Sequence, residues 1–255
     1  MLIILPLVLA LLTLACTLLW WLRRPAWMGF SGKTLWDWLG TMMNATVLGL
    51  GTLMVGVILQ QSETNRLEEA SLQAYLDRIA TLHLNADLPP AESRAVARAQ
   101  TSAILASVNG ERAGRVLRFL DELGTLEAYV ASLEGARLAG AELKGLHFPR
   151  ADFEEADLSG ADMEYGDFST ADFEEADLRG TDLKRSTLTR ASFDSARMRG
   201  AELDGADLRG ADLSRAKGLK AAQLTSTCLD ETTRLPEALQ KVTGDPTLCT
   251  ALDGS

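Results

Sequence analysis

Every fifth residue from Leu133 to Leu213 is Leu, Phe or Met, without a miss across seventeen units. Two positions earlier in each unit the residue is Ala in thirteen of them, and Leu146, Gly166, Thr181 and Ser186 fill the other four. A period of five fits neither regular element. An α-helix turns about 100° per residue, so steps of five rotate by about 140° and scatter the large side chains around the whole circumference. A flat strand alternates faces at each residue, so an odd period sends successive large residues to opposite sides. A chain that turns a corner every five residues satisfies the pattern. The small and the large residue of each unit, two apart, both point inward, and the turn resets the phase. Asp, Glu, Arg, Ser and Gly fill the other three places, as outward and corner positions require.

The units Ala151-Asp152-Phe153-Glu154-Glu155 and Ala206-Asp207-Leu208-Arg209-Gly210 are typical, and over residues 131–217 the pattern resembles the pentapeptide-repeat family. The resemblance implies a mainly β solenoid, a right-handed quadrilateral β-helix with four units per coil. The sequence contains its own check on that number. The octapeptide Ala151 to Leu158 recurs from Ala171 to Leu178, twenty residues on. On this register Phe153, Phe173 and Phe193 form one interior stack, and Phe148 and Phe168 another. Coils spaced by about 4.8 Å, as adjacent strands are, make a rod about 20 Å tall. The segments Ala74 to Asp77, Asn109 to Arg112 and Val116 to Leu120 are similar to the helical region of membrane-anchored bacterial members of the family. So is Lys33 to Leu39.

Upstream of the repeat, Leu2 to Leu22 carries no charge and would be about 31 Å long as a helix, matching a hydrocarbon core. No Lys or Arg precedes it and no A-x-A site follows, unlike a cleaved signal peptide. The stretch before Cys16 departs from a lipoprotein cleavage box at Thr13 and Leu14. A second uncharged block runs from Leu39 to Leu59. The pattern predicts two transmembrane α-helices, over about 2–22 and 39–59, with all five tryptophans near their ends. Ala45, Gly49, Thr52 and Gly56 are candidate helix-packing residues, for self-association or pairing with the first span, although glycine is common in membrane helices generally. Arg23, Arg24 and Lys33 place the connecting loop inside, which gives a multi-pass inner (cytoplasmic) membrane protein with its solenoid on the external, periplasmic side.

The expected organisation is a membrane region over 1–60, a short α-helical connector over 61–125, the β-helix over 126–217, and a C-terminal cap and tail over 218–255. In the connector, Leu72, Tyr75, Leu76, Ile79 and Leu82 form a helical stripe, and Pro89-Pro90 breaks it. A second helix, Glu92 to Val108, is read with Val96, Ala99, Ala103 and Ile104 on one face. A third runs from Glu111 to Leu123 and ends before Gly124. His83 stands alone and reads as a packing or surface residue. The tail, with short helices at Ala221 to Leu224 and Glu237 to Val242, is expected to cover the strand edges of the last coil. Cys228 and Cys249 are a candidate disulfide.

Function is less constrained. With 25 Lys and Arg against 35 Asp and Glu, a net charge of -10 argues against direct binding to nucleic acid, which needs a basic surface. Two His and 3 Cys are too few for a metal cluster. His147 is single and the carboxylates stack along a convex rod, so no cofactor, metal site or catalysis is expected. The twenty-residue register stacks Glu134, Glu154, Glu174 and Asp194, flanked by Glu155 and Glu175, as a candidate partner-binding face for a basic protein surface. Unit charges about 4.8 Å apart in water repel by only about 1 kcal/mol, so such a column also persists as a plain solvated face. The reading is a non-catalytic, membrane-anchored scaffold or protein–protein interaction module. Its partners would be the membrane lipid bilayer, an unidentified protein, and possible further copies through the second span. The alternative, implied by the resemblance, is a DNA-mimicking inhibitor of an enzyme such as a topoisomerase.

Overall fold

The computed structural model describes residues 35–84 and 90–253. The chain divides into two compact units, Met1–Arg66 and Leu67–Ser255. Helix α1 (Leu35–Leu84) is 50 residues long and runs without a break from the apolar block into Gln60, Gln61, Ser62 and Glu63.

This corrects the expectation of two transmembrane helices. The first, at 2–22, falls outside the described residues. For the second, no helix among the described residues is long and apolar enough to cross a membrane. Within the part of α1 whose side chains are described, the apolar run is Gly49 to Leu59. From Gln60 onward the same helix is polar, so the block is one stretch of a longer helix and does not stand as a spanning element by itself. The multi-pass inner-membrane location, with the solenoid on its external side, needed both spans and is withdrawn with the second. Leu53, Met54, Val57 and Leu59 of this run are exposed.

In the second unit, the last turns of α1 bury Leu72, Tyr75 and Ile79. Helix α2 (Pro90–Ser107) opens on a proline, whose missing N–H is no loss in the first turn. Its buried face is Ala97, Thr101, Ile104 and Leu105, continued by Val108 just past its end, whereas Val96 is 45% exposed. The expected face is therefore rotated by about one residue. Thr101 explains the rotation: its hydroxyl donates to the Ala97 carbonyl (2.8 Å) and sits 2.8 Å from the Tyr75 hydroxyl, so a polar residue is satisfied inside. Burial pushes the Tyr75 phenol up to about 12, which keeps it neutral.

Helix α3 (Gly110–Glu122) is capped by Asn109, whose side chain accepts the Arg112 N–H at 3.1 Å. A short helix, α4 (Leu126–Tyr129), follows. Arg112 and Arg115 on α3 hold Glu68 and Glu69 of α1, at 2.7 and 2.8 Å for the shortest contacts. The opposite side of α3 lies on the first solenoid coil. A Cβ at Gly110 would come within 2.2 Å of the Ala139 carbonyl oxygen, and one at Gly114 within 3.0 Å of the Glu142 nitrogen. Only glycine allows that approach. Arg118 pairs with Glu142 at 2.8 Å, and Arg137 donates to the Ala106 carbonyl, so the helices cover the entry to the solenoid.

The solenoid has parallel bridges between residues twenty apart, from Arg137 with Asp157 through Arg197 with Lys217. Each coil therefore contains four five-residue sides. Each corner is closed by a hydrogen bond from the small residue back to the large residue before it, such as Ala156 N–H to the Phe153 carbonyl at 3.0 Å. From Gly135 to Gly210 the residue before the corner bond has positive φ, as at Gly135 (62°) and Glu155 (57°), the sign a type II turn requires. Inside, Phe153, Phe173 and Phe193 stack with ring centroids 5.0 and 5.1 Å apart, nearly coplanar in orientation. Phe168 meets this column edge-on at 6.0 and 6.3 Å. Gly166 replaces the usual Ala because a Cβ there would lie 2.2 Å from the Phe168 ring. Buried Thr181 and Ser186 donate to the Leu158 and Leu183 carbonyls.

Past Leu213 the five-residue pattern stops but the pairing does not. Asp207 bridges Cys228 and Asp212 bridges Arg234, offsets of 21 and 22. Backbone hydrogen bonds need no Ala or Leu, so an irregular sequence still lays a last turn on the rod. Turns of 3-10 helix at Ala221–Gln223 and Glu237–Leu239, then helix α5 (Pro246–Asp253), complete the tail.

Candidate interaction surface

The outward chemistry of the rod begins with the residue that precedes each large one. Where it is Asp, its carboxylate turns back on the chain: Asp152 accepts the Glu154 N–H, Asp162 that of Glu164, Asp172 that of Glu174 and Asp182 that of Lys184, at 3.0 to 3.2 Å. These are Asx turns, which tie up the N–H facing each corner. The recurrent Asp is thus a structural residue, and much of the acidity of the repeat is spent on the backbone. That role was missed at the sequence level, although the recurrence of Asp at one position of the unit carries the signal.

The Glu residues two and three places later have no such bond. Gly135, Glu155 and Glu175 donate their N–H groups to the carbonyls of Glu154, Glu174 and Asp194, which fixes the column Glu134, Glu154, Glu174, Asp194 on one face. Glu155 and Glu175 stand at its corner, both with φ 57°. Asp152 and Asp172 flank the column from the other side and bridge each other. Among the described residues, Glu134, Glu154, Glu155, Glu174 and Glu175 form no ion pair. The Glu154 carboxyl is held above its usual value, first by partial desolvation and then by the charges of Glu134, Glu174, Asp152 and Asp172. Asp194 differs: Arg215, from the next coil, pairs with it at 2.8 Å and closes the column at that end.

Two of the other faces carry ion pairs of their own. On the next face Asp177 lies between Arg179 (2.6 Å) and Arg197 (3.4 Å), and the hydrogen bonds from Arg179 draw its carboxyl below the usual range. On the face opposite the acidic column, Lys144 and Arg185 both pair with Glu164, and their cations sit 5.2 and 5.3 Å from the Tyr165 ring. Lys184 pairs with Asp182 and Glu202. One face of the rod is therefore openly acidic, whereas the next face and the opposite one hold paired charges.

The other candidate residues lie elsewhere. A Cβ on Gly49 or Gly56 of α1 would meet nothing within 4 Å, Thr52 is exposed, and the side chain of Ala45 lies outside those described. Cys228 and Cys249 are brought together by the tail, with their sulfurs 2.02 Å apart across 21 residues. Cys228 is fully buried and joins α5 to the last turn of the rod. His147 sits at the surface, 3.2 Å from Asp167.

Residues 131–169, 167–203 and 191–233 match a family model described as pentapeptide repeats, in 8 copies. No curated protein matches the chain. Among solved structures, a pentapeptide repeat protein from the Arabidopsis thaliana thylakoid lumen is 23% identical, over 45% of this chain and 72% of that one, with a TM-score of 0.30. HetL, a pentapeptide repeat protein involved in heterocyst differentiation regulation from a Nostoc strain, is 24% identical over 42% of this chain, with a TM-score of 0.26. This chain spans 58% of its length. QnrB1, a plasmid-mediated fluoroquinolone resistance protein, is 20% identical over 48% of this chain and 84% of its own, with a TM-score of 0.18. The segment from residue 131 to residue 233 is a pentapeptide-repeat domain.

Proposed function

We propose that the solenoid is a non-catalytic interaction module that docks a basic protein surface on the face of Glu134, Glu154, Glu155, Glu174 and Glu175. The observation that carries this reading is the contrast between faces. Lys144, Arg179, Lys184, Arg185 and Arg197, on the next face and on the opposite one, are spent on carboxylates beside them, while five neighbouring glutamates on this face meet no cation among the described residues. A rigid, closely spaced row of unneutralised carboxylates attracts a row of Lys or Arg and raises the rate at which such a surface is captured.

The test compares the full chain with a variant in which Glu154, Glu155, Glu174 and Glu175 are all replaced by Gln. Both are immobilised and exposed to the same cell extract at low and high salt. The expected result is a basic protein held by the parent, lost with the variant, and released as the Debye length falls from about 10 Å at 0.1 M to about 3 Å at 1 M. Equal retention by parent and variant contradicts the proposal. Inhibition of a topoisomerase by the chain, relieved in the variant, would move the reading to DNA mimicry; the paired Arg179 and Arg197 on the next face and Lys184 on the opposite one weigh against it.

A further inference from the structure

A cleft of about 300 Å³ lies between α1 and α2, away from the acidic face. Its lining repeats one pattern on both helices: Ser71, Ala74, Tyr75 and Arg78 on α1, and Gln100, Ala103, Ile104 and Ser107 on α2. In each set the spacing is three, four and seven residues, so each helix offers one face over two turns. Ala74, Ala103, Ile104 and the Tyr75 ring make an apolar wall.

Three polar features stand against that wall. Gln100 Oε1 is shielded from solvent and has no hydrogen-bond partner, a state that buried polar atoms rarely occupy. Arg78 is exposed and forms no ion pair among the described residues, and it is the only charged residue in the lining. Ser71 and Ser107 donate their hydroxyls to the Glu68 and Ile104 carbonyls, which leaves their oxygens able to accept. The Tyr75 hydroxyl is already used on Thr101. The cleft thus offers one cation at its mouth, one buried acceptor within and an apolar floor.

We propose that this cleft binds a small organic carboxylate with an apolar body and an N–H or O–H donor, such as an N-acyl amino acid. The guanidinium presents two parallel N–H groups, the number one carboxylate takes. A phosphate would need further donors, but the backbone N–H groups of both helices are spent inside the helices. Gln100 is only half-buried, so a turn of its amide brings the unpartnered Oε1 out to the ligand's own donor, and the ligand's apolar body covers Ala74, Ala103 and Ile104. The volume is at the lower end for ligand sites, which sets the size at that of a single modified amino acid.

The probe is N-acetyl-L-leucine, titrated by calorimetry into the full chain. Two relatives separate the contributions: 4-methylpentanoate keeps the acid and loses the N–H, and N-acetyl-L-leucinamide keeps the acetylated N–H and loses the charge. N-acetyl-L-leucine is expected to bind about tenfold more tightly than either. Arg78→Gln should remove its advantage over the amide, and Gln100→Leu its advantage over 4-methylpentanoate. Thermal melts of both variants establish that they fold. No binding of N-acetyl-L-leucine at roughly 10 mM, equal binding of all three probes, or folded variants that bind like the parent would each overturn the proposal.

Discussion

Replacing Phe173 with Ala removes the middle ring of a three-ring column and tests the coil register. Phe173 is fully buried, with Phe153 stacked at 5.0 Å below, Phe193 at 5.1 Å above and Phe168 edge-on at 6.3 Å. Truncating a buried Phe to Ala costs about 3–5 kcal/mol from lost transfer and the cavity left behind. That range already contains lost ring contacts, worth about 0.5–1.5 kcal/mol per aromatic pair, and with three pairs lost here its upper end, about 5 kcal/mol, is expected. Phe173→Leu keeps most of the volume and loses mainly the ring pairs, at about 2 kcal/mol. Urea unfolding followed by circular dichroism measures both, provided that the slope is unchanged and only the midpoint moves. If Ala costs less than about 2 kcal/mol, or Leu costs as much as Ala, Phe173 is not enclosed between two rings twenty residues away on either side, and the four-sided coil is refuted.

Two further outcomes follow from the helical cover and its charges. Gly110→Ala should destabilise by about 1–3 kcal/mol, because its Cβ meets the Ala139 backbone, which has no side chain to yield; a thermal melt equal to the parent's would show that α3 does not rest on the first coil. The Glu69 carboxyl is held at about 2, below its usual 4.5, chiefly by its hydrogen bonds with Arg115, so its pairing is fully present above about pH 4.5 and is lost as pH falls towards 2. Because the group is at the surface, the effect is small and weakens with salt; melts of parent and Glu69→Gln should differ at pH 7 and converge at pH 2, and a constant gap would contradict the pairing.

The rod was legible because its signal is a period, and a period of five leaves one economical geometry. The octapeptide at Ala151 and again at Ala171 supplied the coil length without a structure. The acidic column followed from the same arithmetic. Asp152 and Asp172 did not, because an Asp at a corner reads equally as a solvated charge and as an acceptor for its own backbone, and only the turn geometry separates the two. Helix α2 was read one residue out of phase because Ala occupies both of its faces and Thr101 is polar in the sequence yet buried with its hydroxyl bonded. Gly110 stands just ahead of the helix expected from Glu111, and nothing local reveals that another segment's backbone lies against it. The apolar block near Leu59 misled for the opposite reason: hydropathy marks apolar residues, but it does not mark where a helix stops, and α1 continues for 25 residues beyond that point.

The claim on which the surface depends is that Glu134, Glu154 and Glu174, twenty residues apart, stand one above another with nothing to neutralise them. Carboxyl titration of Glu154 by NMR, in the parent and in Glu174→Gln, measures it directly. The account predicts that Glu154 titrates above the usual carboxylate range in the parent, owing to partial desolvation and the surrounding carboxylates, and moves down in the variant once one charge is removed. A Glu154 titration that is unmoved by Glu174→Gln would mean that the two carboxylates do not sense each other, and would contradict the column.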